Sequence, residues 1–148
     1  MILAGMLQIR QSCSIAALIG VMFITFVLSR VQAAELVMFE QAGCAWCAAF
    51  DRDVAPIYAR TEEGLVAPLR RVDIDQKLPP DLAFIGVERL TPLFVLIDKD
   101  HEIGRIRGYP GPESFWMQIA VLFDRLHKIE ASHQQRAQLV EKILLAKD

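Results

Sequence analysis

The chain has 148 residues, 53% of them hydrophobic and 23% charged. That is enough for one domain with a buried core, and too apolar for a disordered tail. Its formal charge of −2 gives no reason to expect nucleic acid as a partner, and neither an internal repeat nor a low-complexity tract breaks it into units.

The first 33 residues read as a targeting segment. Arg10 precedes an apolar run from Ile15 to Leu28, 14 residues interrupted only by Gly20 and Thr25. Such a run suits a signal-peptide core of roughly 7–15 residues and falls short of the roughly 20 needed to span a bilayer. Val31 and Ala33 place small side chains at the minus-three and minus-one positions of a cleavage site after Ala33. The alternative is an uncleaved signal anchor holding the domain at the outer face of the inner membrane. Either reading exports the remainder, divided into a domain over 34–130 and a helical extension over 131–148. Without Arg10 and Arg30 the remainder holds 14 basic and 18 acidic residues, a charge of 14 − 18 = −4.

Leu36 to Phe39 ("LVMF") is a strand-length apolar run suited to burial on both faces. Phe50, Val54, Ile57 and Tyr58 then recur at helical spacing to about Arg60, with Pro56 expected to kink the helix or start a second piece of it. Leu69 to Ile74 supplies a second strand, so strand, helix, strand implies a parallel crossover. Pro79-Pro80 opens a short helix to about Ile85. Leu93 to Ile97 ("LFVLI") is a third strand, Asp98 to His101 a polar turn, and Glu102 to Arg107 an alternating fourth strand closing a hairpin. Gly111-Pro112 opens a helix with Phe115, Ile119, Leu122, Leu126 and Ile129 on one stripe. From about Gln134, Leu139, Val140, Ile143 and Leu144 form the apolar face of an additional terminal helix.

The exported part keeps two cysteines, Cys44 and Cys47, because Cys13 precedes the apolar run and is lost with the leader. In an oxidising compartment their pairing is the expected state. Cys44 stands at a helix N-terminus, where unpaired N–H groups and the helix dipole favour a thiolate nucleophile. Cys47, one turn on, can resolve a mixed disulfide from within the molecule. A static staple is a poor alternative, since so short a loop removes little chain entropy. Zinc would need two further ligands, and His101, His127 and His133 show no paired spacing. Covalent haem would need His where Ala48 stands. No metal or other cofactor is expected.

A strand, a Cys-x-x-Cys opening a helix, then strand, helix, "LTP", two hairpin strands and a last helix resemble the thioredoxin superfamily over Glu35 to Ile129. The resemblance implies an α/β thioredoxin-like fold, with a central mixed four-stranded sheet flanked by helices and, in this chain, an extra C-terminal helix. It implies catalysis of thiol-disulfide exchange by Cys44 and Cys47. It also implies a cis peptide at Thr91-Pro92 facing the pair, with the backbone there binding the substrate's extended chain.

The departures are informative. Ordinary thioredoxins read Trp-Cys-Gly-Pro-Cys, where this chain has Gly43 before the pair and Ala45-Trp46 between. Met38 occupies the place of their buried, proton-moving aspartate. Trp46 is expected to offer a flat apolar surface to a partner, the alternative being packing, and Glu40 is a candidate substitute proton carrier or else a solvated strand end. "CAWC", "LRRVDID", "LTPLFVLID" and "GYPGPESFW" are similar to the periplasmic thioredoxins of bacterial sulfur-oxidation clusters, the SoxS/SoxW type. That similarity implies a periplasmic reductant acting on disulfides of protein partners, a sulfur-carrier protein among them, with an inner-membrane thiol transporter as electron donor. The other readings are a periplasmic oxidant or isomerase using the same cysteines, and a non-catalytic binding module.

Overall fold

The computed structural model describes residues 34–146; the leader and its cleavage site fall outside the described residues. β1 (Glu35–Glu40) runs through the middle of a four-stranded sheet of order β2-β1-β3-β4. β2 (Leu69–Asp73) lies parallel to it, Leu36 opposite Leu69 and Phe39 opposite Val72, which is the expected crossover. β3 (Leu93–Asp98) is antiparallel to β1, with Val37 opposite Val95 and Phe39 opposite Leu93. β4 (His101–Arg107) closes the hairpin at the far edge. Lys99 and Asp100 at its tip both have positive φ, 48° and 61°, the backbone of a two-residue turn whose twist matches the flanking strands.

Alternation in β1 and β3 divides the core. Leu36, Met38, Phe94 and Leu96 face a helical layer, while Val37, Phe39, Leu93, Val95 and Ile97 face the opposite side. All six residues of β3 are buried, and the first five, Leu93–Ile97, form the continuous apolar run that burial on both faces requires. On the helical side lie α1 (Ala45–Asp53), α2 (Ala55–Tyr58) and α4 (Pro112–Leu145). Phe50 of α1 sits at the centre of that layer, its ring against those of Phe94, Phe115 and Tyr109 at centroid separations of 4.7, 5.2 and 5.7 Å. On the other side the cover is a loop, in which a short 3-10 turn (Pro80–Leu82) and its continuation bury Leu82 and Ile85 against the sheet.

The helix expected to run to Arg60 is interrupted at Val54, and Pro56 falls in the first turn of α2. There its missing N–H would have had no intrahelical partner in any case. α3 (Glu62–Val66) was not anticipated. It is five residues long, too short to show a periodic stripe, and its start is fixed by Thr61: the hydroxyl donates to the Tyr58 carbonyl at 2.9 Å and accepts the Gly64 N–H at 3.1 Å. The buried Tyr58 hydroxyl donates to the Ala67 carbonyl at 2.9 Å, and burial raises the ionisation range of that phenol.

The C-terminal extension is present as a continuation of the last core helix, one uninterrupted α4 of 34 residues. The separate terminal helix anticipated from about Gln134 is therefore corrected to a single rod. Glu130-Ala131-Ser132-His133 contains neither Gly nor Pro, so nothing in the backbone stops the helix. Its buried stripe runs from Phe115 to Leu126, and from His133 onward the described residues are exposed.

Gly64 packs against the preceding turn so closely that a Cβ there would lie 1.9 Å from the Tyr58 carbonyl oxygen, which is backbone and cannot yield. Gly64→Ala is expected to displace α3 and lower stability by roughly 2–3 kcal/mol, read as a fall of several degrees in the thermal midpoint. An unchanged midpoint would show that α3 moves freely from the Tyr58 turn.

Candidate active site

β1 ends at Glu40, and the chain turns through Gln41-Ala42-Gly43 into α1. Gly43 has φ of 75°, a left-handed conformation open to Gly at no steric cost, and this lets the strand reverse into a helix within four residues. Cys44 is then the N-cap. Its backbone is extended (φ −72°, ψ 105°), its carbonyl accepts the Ala48 N–H at 3.1 Å, and its sulfur accepts the Cys47 N–H at 3.1 Å. The sulfur takes the place that a serine or aspartate oxygen holds at other helix starts. Once the pair is reduced, the same N–H stabilises negative charge on Cys44 Sγ.

Cys44 and Cys47 are joined in a disulfide, S–S 2.12 Å and Cα–Cα 5.2 Å. The two sulfurs differ in environment. Cys47 is 5% exposed and belongs to the same apolar cluster as Met38, Phe50 and Phe94, whereas Cys44 is only partly buried at its rim. Trp46, between them, is 63% exposed. It points to solvent in this structure instead of folding back on the core.

Thr91-Pro92 is a cis peptide. Pro92 lies one step beyond the Phe39–Leu93 pair, at the end of the sheet where β1 turns into the cysteine loop. Its carbonyl accepts the Gly108 N–H at 2.8 Å. Pro92 is buried and Thr91 partly exposed.

A shallow depression of about 340 Å³ beside the pair is lined by Glu40, Gln41, Cys44, Cys47 and Asp51 among others. Glu40 is not simply a solvated strand end. Arg71 of β2 donates to it at 2.6 Å and also pairs with Asp51 of α1. One guanidinium thus ties the end of β1 to the second turn of α1, and a net single negative charge remains on that flank. Arg71 and Asp51 were not singled out from sequence. The signal for Asp51 was available, because it stands four residues after Cys47 and therefore on the same helical face. Arg71 lies in a charged strand sequence that gives no such signal. Behind α1, the Tyr109 hydroxyl donates to Asp53 at 3.3 Å, and burial, with the Asp53 carboxylate adding to it, pushes this phenol up to about 12.

Met38 is fully buried, so the interior behind the pair presents a thioether where a carboxyl was the alternative. Among the described residues, no group of three or more His, Cys, Asp or Glu side chains could hold a metal ion, and no helix is long and apolar enough to cross a membrane.

A cysteine pair at disulfide distance, capping the helix that follows the central strand of a β2-β1-β3-β4 mixed sheet, defines a thiol-disulfide oxidoreductase of thioredoxin-like fold. The chain belongs to the thioredoxin superfamily, being 43% identical to the periplasmic thioredoxin SoxS from Paracoccus pantotrophus (reduced form), with a TM-score of 0.59 over 63% of this chain and 98% of that one. Two further similar structures are a thioredoxin of Malassezia sympodialis (20% identity, 60% of this chain and 74% of that one, TM-score 0.46) and the Schistosoma mansoni thioredoxin pre-protein (21% identity, 72% and 88%, TM-score 0.44). No protein-family model and no curated protein matches the chain.

The unequal exposure of the sulfurs sets an order of reaction. In the reduced protein, iodoacetamide is expected to modify Cys44 first, with Cys47 following only slowly, as read by mass spectrometry of peptides after short exposures near neutral pH. Faster modification of Cys47 would reverse the assignment of nucleophile and resolver.

Proposed function

We propose that the protein is an exported reductant of protein disulfides, in which Cys44 attacks and Cys47 resolves. The observation that carries this reading is the 43% identity to a periplasmic thioredoxin across 98% of that chain. The leader-like first 33 residues and the contrast between Cys44 at the rim and Cys47 in the core support it.

In the first step the Cys44 thiolate attacks one sulfur of the partner's disulfide. The Cys44–partner bond forms, the partner's own S–S bond breaks, and its other sulfur leaves as a thiolate that takes up a proton. Cys47 then loses its proton and attacks Cys44 Sγ, releasing the second partner thiol and closing the Cys44–Cys47 disulfide. Two electrons have passed to the partner. An inner-membrane thiol transporter returns them by the reverse exchange. Thr91 supplies the backbone edge for the partner's extended segment beside Pro92, and the exposed Trp46 an apolar surface. Among the described residues no backbone group takes up the Thr91 N–H or carbonyl, so both are free to pair with an incoming strand. Glu40 and Asp51, in the depression beside the pair, are the ionisable groups placed to exchange the Cys47 proton with water.

The preferred partner in this reading is a periplasmic sulfur-carrier protein whose working cysteine must be kept reduced. Replacing Cys47 by Ser removes the resolving thiol and leaves the attack intact. Cys47→Ser, expressed with its leader in a sulfur-oxidising bacterium, is expected to accumulate a mixed disulfide with such a carrier, visible on non-reducing gels and released by dithiothreitol. Cys44→Ser is expected to trap little. A broad mixture of secreted proteins trapped by Cys47→Ser would replace the dedicated reductant with a general reductase or isomerase, and equal trapping by both variants would remove the assigned order of attack.

A further inference from the structure

The segment between β2 and β3 crosses the sheet beneath its loop-covered face and is pinned at both edges. Near its start, Asp81 pairs with Arg70 of the edge strand β2. In the middle, Leu82 and Ile85 are buried against the sheet. Near its end, Glu88 reaches the opposite edge strand, β4, where it meets two arginines on the same face of that strand. Arg107 grips it with one guanidinium edge in a bidentate fork, Nε to Oε2 at 2.8 Å and Nη2 to Oε1 at 2.7 Å. Arg105 Nη1 donates to Oε1 at 2.8 Å and to the Gly86 carbonyl at 3.0 Å, and its own fork is held by Glu102. Two arginines therefore converge on one carboxylate and one carbonyl, three and five residues before Thr91. A forked arginine contact fixes direction as well as distance, which a single lysine pair would not do.

What this clamp holds is the approach to the substrate edge. From Gly86 to Leu90 the chain has no helical or strand hydrogen bonding of its own, and it runs directly into Thr91-Pro92. The exposed apolar side chains of this stretch, Val87 at 37% and Leu90 at 42%, are not what keeps it in place. Charges on an edge strand normally face water and contribute little. Here they are spent on a loop that would otherwise be free to lift off beside the reactive disulfide.

We propose that Glu88 is a positioning residue for exchange with protein substrates: with Arg105 and Arg107 it fixes the course of residues 86–91, and so sets where the Thr91 backbone meets the partner's chain. The inference rests on the substrate edge assigned above. Glu88 keeps its charge throughout the working range of pH, since the arginines, Arg107 foremost, hold its carboxyl down to about 2. The clamp is a brace, not a switch.

A brace of this kind affects large substrates and spares small ones. A protein disulfide must be held along an extended segment, whereas an aromatic disulfide such as 5,5′-dithiobis(2-nitrobenzoic acid) needs only the partly exposed Cys44. Glu88→Arg places a third cation against Arg105 and Arg107 and should drive the loop off β4. With insulin as the protein disulfide and dithiothreitol as the reductant, KM is expected to rise roughly tenfold with kcat within about twofold, a loss of positioning rather than of chemistry. The rate of the reduced protein with the aromatic disulfide should stay unchanged. The double variant Glu88→Arg/Arg107→Glu restores an acid between two arginines and should recover most of the KM. If Glu88→Arg folds poorly, Arg107→Glu alone opposes Glu88 with a second carboxylate and should show the same split. An unchanged KM for insulin, an equal fall with both substrates, or a double variant no better than the single would overturn the proposal. Failure of the unmodified protein to reduce insulin would instead strike at the substrate edge and the reducing role themselves.

Discussion

The site depends on one constraint, the burial of β1 on both faces while its end remains at the surface. Val37 and Phe39 are held by the loop side, Leu36 and Met38 by the helical side, and the strand is hydrogen-bonded along both edges. It therefore cannot shift register without exchanging its two buried sets of side chains. The cysteine turn begins one residue after this strand ends, and the cis peptide stands at the same end of its neighbour β3. The positions of the disulfide and of Thr91 relative to each other are thus inherited from β1 and β3, the two central, buried strands of the sheet. Local strength in the turn is not required for their alignment.

From that fixed end the helix start does the chemical work. The Cys47 N–H that caps Cys44 Sγ is a backbone group, present whatever the redox state of the sulfurs. Phe50, one turn further, locks α1 onto Phe94 and Phe115, so the cap is anchored in the core by an aromatic cluster. On the other flank Arg71 joins Glu40 to Asp51. These two attachments, one apolar and one ionic, hold α1 from both sides while its Cys44 end stays at the rim.

Much of this was legible in the sequence, and the limits have physical causes. "LVMF" and "LFVLI" were readable as central strands because burial on both faces leaves no polar alternation, and Cys-x-x-Cys beside them marked the site. The stripe from Phe115 to Ile129 announced the packed part of α4, although Ile129 itself proves exposed. Three things escaped. α3 is capped by a single threonine and is too short for periodicity. The separation of the tail into its own helix assumed a boundary that no breaker supports. Arg71 of β2 and Arg105 of β4 were not singled out, and only the fold shows that they meet Glu40, Asp51 and Glu88 from 17 to 31 residues away. Pairings of that range depend on topology, which one-dimensional spacing does not encode.

Met38 carries one more consequence. A carboxyl buried behind the disulfide would change its proton occupancy with its surroundings, and the stability of the whole domain would then follow pH through that one group. A thioether binds no proton under any of these conditions. As long as Cys47 remains a neutral thiol when reduced, the interior on the helical side carries the same charge before and after electron transfer, and the electrostatic difference between the two redox states is confined to the rim of the domain. Between its two resting states the hydrophobic core keeps one charge, so only the passing Cys47 thiolate disturbs the packing that aligns the cycle.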